Sequence, residues 1–288
     1  MDYRSPGSVK EAVDLLAASS GGAHLLAGGT DLLVKLRAGF VAPKLVVDLK
    51  AIPQLRGIST DARGFRIGAA TSCAEIGEHA ALSAAWPGVV EALRLIGSTQ
   101  VQGRASLGGN LCNASPAADS VPALIAAGAV CEVAGPGGER EVPVERIVTG
   151  PGRTSLASGE FVLAFRLPKP PARSGDAYLR LIPRTEMDIA VVGVGVALAL
   201  DQAGVCTQAR VALGAVAPTP LLVADAAAAL VGTRVDNNAL AALAAAASAA
   251  CKPIDDKRGT VAYRIKIAGV LARRAARIAL ERAQGRQG

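Results

Sequence analysis

Two glycine-rich segments constrain this chain more than any other feature. Residues 25–33 read LLAGGTDLL, and residues 106–119 read SLGGNLCNASPAAD. Each sets consecutive glycines beside a hydroxyl, a carboxylate or a carboxamide. Glycine lets backbone N–H groups approach a ligand closely, and successive N–H groups make a concave anion site. A fold that turns both segments toward one another grips a phosphate-bearing ligand from two sides. Gly28-Gly29 alone is also an ordinary strand-to-helix turn, so the reading rests on the pair.

At 288 residues the chain has room for two domains. Hydrophobic residues make up 51% but aromatics only 3%, so the cores are expected to be aliphatic and alanine-packed. The longest apolar stretches, Ile189–Leu200 and Ala239–Cys251, fall short of the ~20 residues that a spanning helix needs. The opening MDYRSPGSVKEAVDLL lacks the basic, apolar and small-residue regions of a signal peptide. These features predict a cytoplasmic protein with no membrane span. Cys73, Cys112, Cys131, Cys206 and Cys251 are dispersed without a C-x-x-C pair, which predicts free buried thiols and no metal centre in this chain.

The net charge of +7 is concentrated at the C-terminus, where residues 252–288 hold ten Lys/Arg and three Asp/Glu. Arg273, Arg274, Arg277 and Arg282 fall late in an expected helix, where cations suit the helix dipole. No aromatics interleave with them, so a solvated or subunit-docking face is expected, not a nucleic-acid site.

Local signals divide the chain. Ser8 with Glu11 has capping-box spacing ahead of a helix to Ala18. Strands are expected at His24–Ala27 and Lys44–Asp48, with a helix between them over Asp31–Ala38. Further strands are expected at Phe65–Ala69, Ala129–Ala134 and Glu160–Leu167, and helices at Cys73–His79, Pro87–Ile96 and Ser120–Ala127. Gly135–Gly138 reads as a hairpin turn. The Pro-rich Lys169–Gly175 is the expected linker. Beyond it, strands at Tyr178–Ile182, Val191–Leu200 and Ala209–Ala215 precede helices at Ala224–Val231, Asn238–Ala250 and Thr260–Ala283. The expected domains are 1–172, with subdomains of about 1–55 and 56–172, and 173–288.

LLAGGTDLL, then SLGGN with Asp119 following, then Glu186-Met187-Asp188-Ile189-Ala190 just after Arg180, resembles the FAD-carrying medium subunits of the molybdenum hydroxylases. That family includes the xanthine dehydrogenase and carbon monoxide dehydrogenase medium subunits. The resemblance spans nearly the whole chain, to the ending KPIDDKRGTVAYRIKIAGVLARRA. It implies an α+β fold: a two-subdomain FAD-binding domain of the vanillyl-alcohol oxidase type, then a three-stranded antiparallel sheet with helices. It is not a Rossmann fold, and no G-x-G-x-x-G follows an early strand.

By this resemblance, Leu25, Leu26, Ala27, Gly28, Gly29, Thr30, Asp31 and Leu32 wrap the pyrophosphate, largely through backbone N–H groups. Ser106, Gly108, Gly109 and Asn110 form the facing loop, with the Ser106 hydroxyl donating to phosphate and Asn110 offering donor and acceptor to the ribityl chain or flavin edge. Asp119 accepts from a cofactor hydroxyl. Ile96 and Val162 pack near the flavin. Arg180 stands where the family has a lysine, and a cation there would stabilise an anionic flavin. Val101-Gln102-Gly103 departs from the family's Ile-Arg-Asn, and Ser106 replaces its threonine while keeping the hydroxyl. The cysteine cluster that holds a 4Fe–4S centre in some members has no counterpart. Asp119 is also a candidate helix cap, and His24 and His79 have no matched acid or nucleophile, so both are expected to be structural or exposed.

The resemblance implies an electron-transfer oxidoreductase subunit. FAD is expected in this chain, with the molybdenum cofactor on a large subunit and two 2Fe–2S clusters on a small one. A dimer of heterotrimers is the expected assembly. The alternative within the same fold is a stand-alone flavin reductase, which needs its own acid and a substrate-phosphate pocket. A non-enzymatic binding protein would be marked by lost loop glycines, and here they are intact.

Overall fold

The computed structural model describes residues 1–19 and 21–285. The first unit is small and parallel. Strand β1 (Asp2–Arg4) is followed by helix α1 (Val9–Ala18), strand β2 (Ala23–Leu26), helix α2 (Leu32–Arg37) and strand β3 (Leu45–Asp48). The sheet order is β1-β3-β2, with β3 parallel to both neighbours. Ser8 caps α1 by accepting from the Glu11 N–H, and the Glu11 carboxylate reaches back to the Gly7 N–H at 2.9 Å. Ala12 and Leu16 of α1 bury against Val47, Ile52, Leu55, Phe161 and Leu163. Strand β1 was not among the expected elements, because three residues carry too little periodicity to register.

The second unit opens with β4 (Ile58–Asp61) and β5 (Gly64–Gly68). A run of short helices follows: α3 (Cys73–Glu78), α4 (Ala80–Ala85), α5 (Pro87–Arg94), α6 (Thr99–Gln102), α7 (Leu107–Cys112) and α8 (Ser120–Ala126). Then come β6 (Val130–Gly135), β7 (Gly138–Pro143), the small hairpin β8 (Val148–Gly150) and β9 (Arg153–Thr154), and β10 (Phe161–Pro168). The main sheet is antiparallel, in the order β4-β5-β10-β6-β7. The central β10 is buried along nearly its whole length, which explains why FVLAFRL reads as a continuous apolar run and not as an alternating one.

The third unit is a sheet of four strands, not three: β11 (Ser174–Leu181), β12 (Val192–Leu200), β13 (Cys206–Gly214) and the two-residue β14 (Leu221–Leu222). The fourth strand is too short to leave a pattern. Ser174 and Gly175 of the expected linker already pair with Ala199 and Leu198. Gly175 is there because a Cβ would stand 2.3 Å from the Ala279 carbonyl oxygen. Helices α9 (Ala224–Ala228), α10 (Asn237–Ala250) and α11 (Val261–Ala283) cover the sheet. Ala268, Ala272, Ala275, Ala276 and Ala279 form a fully buried stripe on α11, so small side chains let the long helix lie close to β11 and β12.

Not all of the basic helix is a solvated face. Arg264 is buried, donating to the Val191 oxygen at 2.7 Å and to Asp256 Oδ1 at 2.7 Å. Arg282 reaches across to Glu91 on α5 and donates to the Asp176 oxygen at 2.6 Å, tying the third unit to the second. Arg273, Arg274 and Arg277 are exposed, and Arg286 lies outside the described residues. Among the described residues, no helix is long and apolar enough to cross a membrane, and no cluster of three or more His, Cys, Asp or Glu could hold a metal ion.

Candidate cofactor-binding cleft

The two glycine segments form facing walls of one cleft of about 410 Å³. One wall is the edge strand β2 and the turn after it; the other is α7 with the residues leading into it. The glycines make this approach possible. A Cβ on Gly28 would stand 1.9 Å from the Arg104 carbonyl oxygen, so the first loop lies directly on the chain entering the second. Gly29 has φ +81°, the left-handed conformation that turns β2 into α2. A Cβ on Gly108 would lie 2.8 Å from the Ala69 oxygen, which pins α7 against the end of β5.

The two walls differ in what they offer a ligand. In the second loop the backbone is already committed. Gly108 donates its N–H to Ala69 at 2.9 Å, Gly109 to the Ser106 hydroxyl oxygen at 3.2 Å, and Asn110 to the Ser106 carbonyl at 2.9 Å. In the first loop the backbone N–H groups of Gly28, Gly29, Thr30, Asp31 and Leu32 have no partner among the described residues. That run of free donors is suited to receive an anion. The second wall supplies side chains: Ser106 caps α7 through its oxygen and keeps its O–H free to donate. Asn110 accepts from Ser120 Oγ at 2.6 Å through its own Oδ1, which leaves the carboxamide N–H₂ as the free donor. The acceptor expected of Asn110 is therefore in use within the chain.

Leu25, Ala27, Gly28, Gly29, Thr30, Asp31 and Leu32 line the cleft, as do Ile96, Ser106, Gly108, Gly109, Asn110 and Val162. Leu26, Asp119 and Arg180 do not. The Leu26 side chain packs beside Gly29, its Cδ1 lying 3.2 Å from where a Gly29 Cβ would be. Asp119 and Arg180 form a buried ion pair at 2.8 Å, with side chains 9% and 5% exposed. Asp119 also accepts from the Tyr178 hydroxyl at 2.8 Å. Burial pushes the Asp119 carboxyl up to about 6, against the opposing effects of Arg180 and Tyr178. Asp119 precedes α8 but makes no side-chain cap bond, so the helix-cap reading does not hold. The structure thus gives this pair a packing role, joining α8 to β11.

Lys35, Asn113, His24 and Cys112 line the cleft without being among the expected cofactor contacts. Lys35 on α2 donates to Asn113 Oδ1 at 2.6 Å, and Asn113 Nδ2 donates to Asp31 Oδ1 at 3.0 Å, linking wall to wall. Asn113 stands one helical turn after Asn110, a spacing that could have flagged it. His24 lines the cleft, and its buried Nδ1 has no partner among the described residues. His79 is structural, its Nδ1 accepting from the Leu82 N–H at 3.1 Å as the cap of α4. Cys112 is exposed in the cleft wall, a correction to the expectation of five buried thiols; Cys73, Cys131, Cys206 and Cys251 are buried. Its place at the end of α7, facing the opening between the walls, accounts for this. Burial pushes the Cys73 thiol to about 12, which keeps it inert.

Comparison with known proteins bears directly on this cleft. Residues 1–170 match the model of the FAD binding domain in molybdopterin dehydrogenase, and residues 177–279 match the CO dehydrogenase flavoprotein C-terminal domain. The chain belongs to this family. It is 36% identical over 285 residues to the carbon monoxide dehydrogenase medium chain of Afipia carboxidovorans, covering 99% of this chain and 97% of that one. It is 34% identical over 221 residues to the xanthine dehydrogenase FAD-binding subunit of Escherichia coli, covering 76% and 75%. The solved carbon monoxide dehydrogenase from Hydrogenophaga pseudoflava superposes with a TM-score of 0.94 at 35% identity, over 98% of each chain.

As a member of the FAD-binding subunits of molybdenum hydroxylases, the chain has a cleft whose own features fit a dinucleotide. Five unpartnered N–H groups suit the diphosphate, and an orphaned buried His24 Nδ1 awaits a polar neighbour. Apolar Ile96, Val162, Leu156 and Phe161 suit flat rings. The α+β fold follows the family: a two-sheet FAD-binding part and a C-terminal antiparallel sheet with helices.

Proposed function

We propose that this oxidoreductase subunit is the electron-transfer station of a heterotrimeric molybdenum hydroxylase. When bound, FAD supplies two-electron and one-electron chemistry, linking the 2Fe–2S clusters of a small subunit to an external acceptor. Substrate oxidation then belongs to a large subunit that carries the molybdenum cofactor. The protein's part is to bind, orient and shield. Gly28–Leu32 present N–H groups to the diphosphate, Ser106 and Asn110 add side-chain donors from the opposite wall, and Ile96 and Val162 keep water from the ring system. A cytoplasmic dimer of heterotrimers is the assembly this reading expects.

The observation that carries the reading is the asymmetry of the walls, with five free N–H groups on one loop and none free at Gly108, Gly109 or Asn110 on the other. A phosphate site of that kind serves a bound cofactor. Co-expression with the neighbouring large and small subunits tests it. A complex containing FAD, molybdenum and iron, whose substrate reduces the flavin only when the iron–sulfur subunit is present, is the expected result. A chain that alone turns over NAD(P)H with an added acceptor would contradict it.

A further inference from the structure

Among the described residues, Lys35 is the only lysine or arginine lining the cleft. A dinucleotide brings two negative charges to its diphosphate, and the cleft's other charged lining residue, Asp31, has the wrong sign to receive them. Lys35 lies on α2, immediately after the loop whose N–H groups are free. Its amine is not spent on a carboxylate. It donates to the neutral Oδ1 of Asn113 at 2.6 Å, and the Asn113 Nδ2 engages Asp31 at 3.0 Å. The carboxamide therefore stands between acid and amine, orients the amine from the opposite wall, and leaves it without a direct carboxylate partner among the described residues.

We propose that Lys35 is the charge-bearing anchor of the cofactor's diphosphate and that Asn113 is its positioning residue. The proposal rests on FAD occupying this cleft. An ammonium hydrogen-bonded to phosphate oxygen is stronger than a neutral donor and is weakened by salt. Riboflavin carries no phosphate, so its binding is indifferent to Lys35. The Asp31–Asn113–Lys35 bridge also exists without ligand, so a purely structural role would be to tie α2 to the end of α7. The two roles separate on ligand dependence.

The test uses the full chain stripped of flavin, titrated with FAD, riboflavin and ADP by calorimetry at low and high salt. In K35M, FAD and ADP affinity are expected to fall by about 10- to 100-fold, with riboflavin affinity unchanged and the salt dependence flattened. K35R should recover most of the loss, and N113A should lose less than K35M. The melting temperature of each flavin-free variant reports whether the fold survives, and K35Q replaces K35M if that variant does not fold. FAD binding by K35M within twofold of wild type would overturn the proposal. So would equal losses for FAD and riboflavin, which mark a structural tie only. A wild-type chain that takes up riboflavin but neither FAD nor ADP would overturn the diphosphate assignment itself, and one that takes up none of the three would overturn the cofactor reading beneath it.

Discussion

The carbonyl oxygen of Arg104 fills the space in which Gly28 would carry a side chain, 1.9 Å from where its Cβ would stand. The first loop can reach the second only because this position is bare. Gly28→Ala must push the loops apart, since the obstacle is backbone and not a side chain that can turn away. A cost of about 1–3 kcal/mol in stability is expected, with loss of bound flavin. Gly7→Ala, with nothing within 4 Å of the new Cβ, is the control and should change neither. Thermal melts and the flavin absorbance of the purified variants check this.

Arg180 and Asp119 are buried together, and breaking such a pair by removing one partner costs about 3–5 kcal/mol. Arg180→Met should therefore destabilise strongly. The deficit should depend on pH. Burial already raises Asp119 to about 6, above its ordinary value, and Arg180 holds it from rising further. Without the arginine the folded pKa climbs, so the folded state pays more for ionising Asp119 as pH increases. Denaturant melts at pH 5 and pH 8 should show a larger deficit at pH 8.

Asp176 offers a second pH test. It is buried where β11 meets the start of α5, and burial pushes its carboxyl up to about 7, against backbone hydrogen bonds from α5 and the Arg282 charge. A carboxyl raised above its unfolded value near 3.8 favours the folded state while protonated. That contribution is present at acidic pH and is lost as pH rises from about 4 through about 7. Asp176→Asn should flatten this slope, so its stability relative to wild type improves from pH 5 to pH 8. Melting temperatures across that range measure it.

Much of this was legible in the residues, and what was not has physical causes. The Ser8 cap, the buried β10 and the alanine stripe of α11 are local patterns of capping and period, which a sequence carries openly. The glycine loops pointed to one cleft. The division of labour between them is not legible, because whether Gly108 or Gly28 has a free N–H depends on the Ala69 oxygen lying 2.9 Å from the N–H of one and on no described acceptor lying within reach of the other. Asp119 and Arg180 illustrate the same limit. Both bear charges suited to a ligand, yet they are 61 residues apart in sequence and meet each other instead. The roles of Lys35 and Asn113 are not legible in the residues, because they lie in a contact across 78 residues.

Ser106 carries two duties that substitution can separate. Its oxygen accepts from the Gly109 N–H at 3.2 Å, capping α7, while its O–H has no acceptor among the described residues. Ser106→Ala should cost about 1 kcal/mol of stability and weaken FAD binding. Ser106→Thr, which restores the family's residue, should retain both functions. Calorimetric titration of FAD beside a thermal melt distinguishes the two effects.

The most direct measurement of the central claim is the FAD content of the chain purified with its partner subunits, by visible absorption and release of the flavin. One FAD per chain is the prediction. The content should fall to near zero in Gly108→Val, whose new side chain would drive α7 from Ala69 and open the cleft. A colourless chain in the assembled complex, or full flavin content in that variant, would contradict the account.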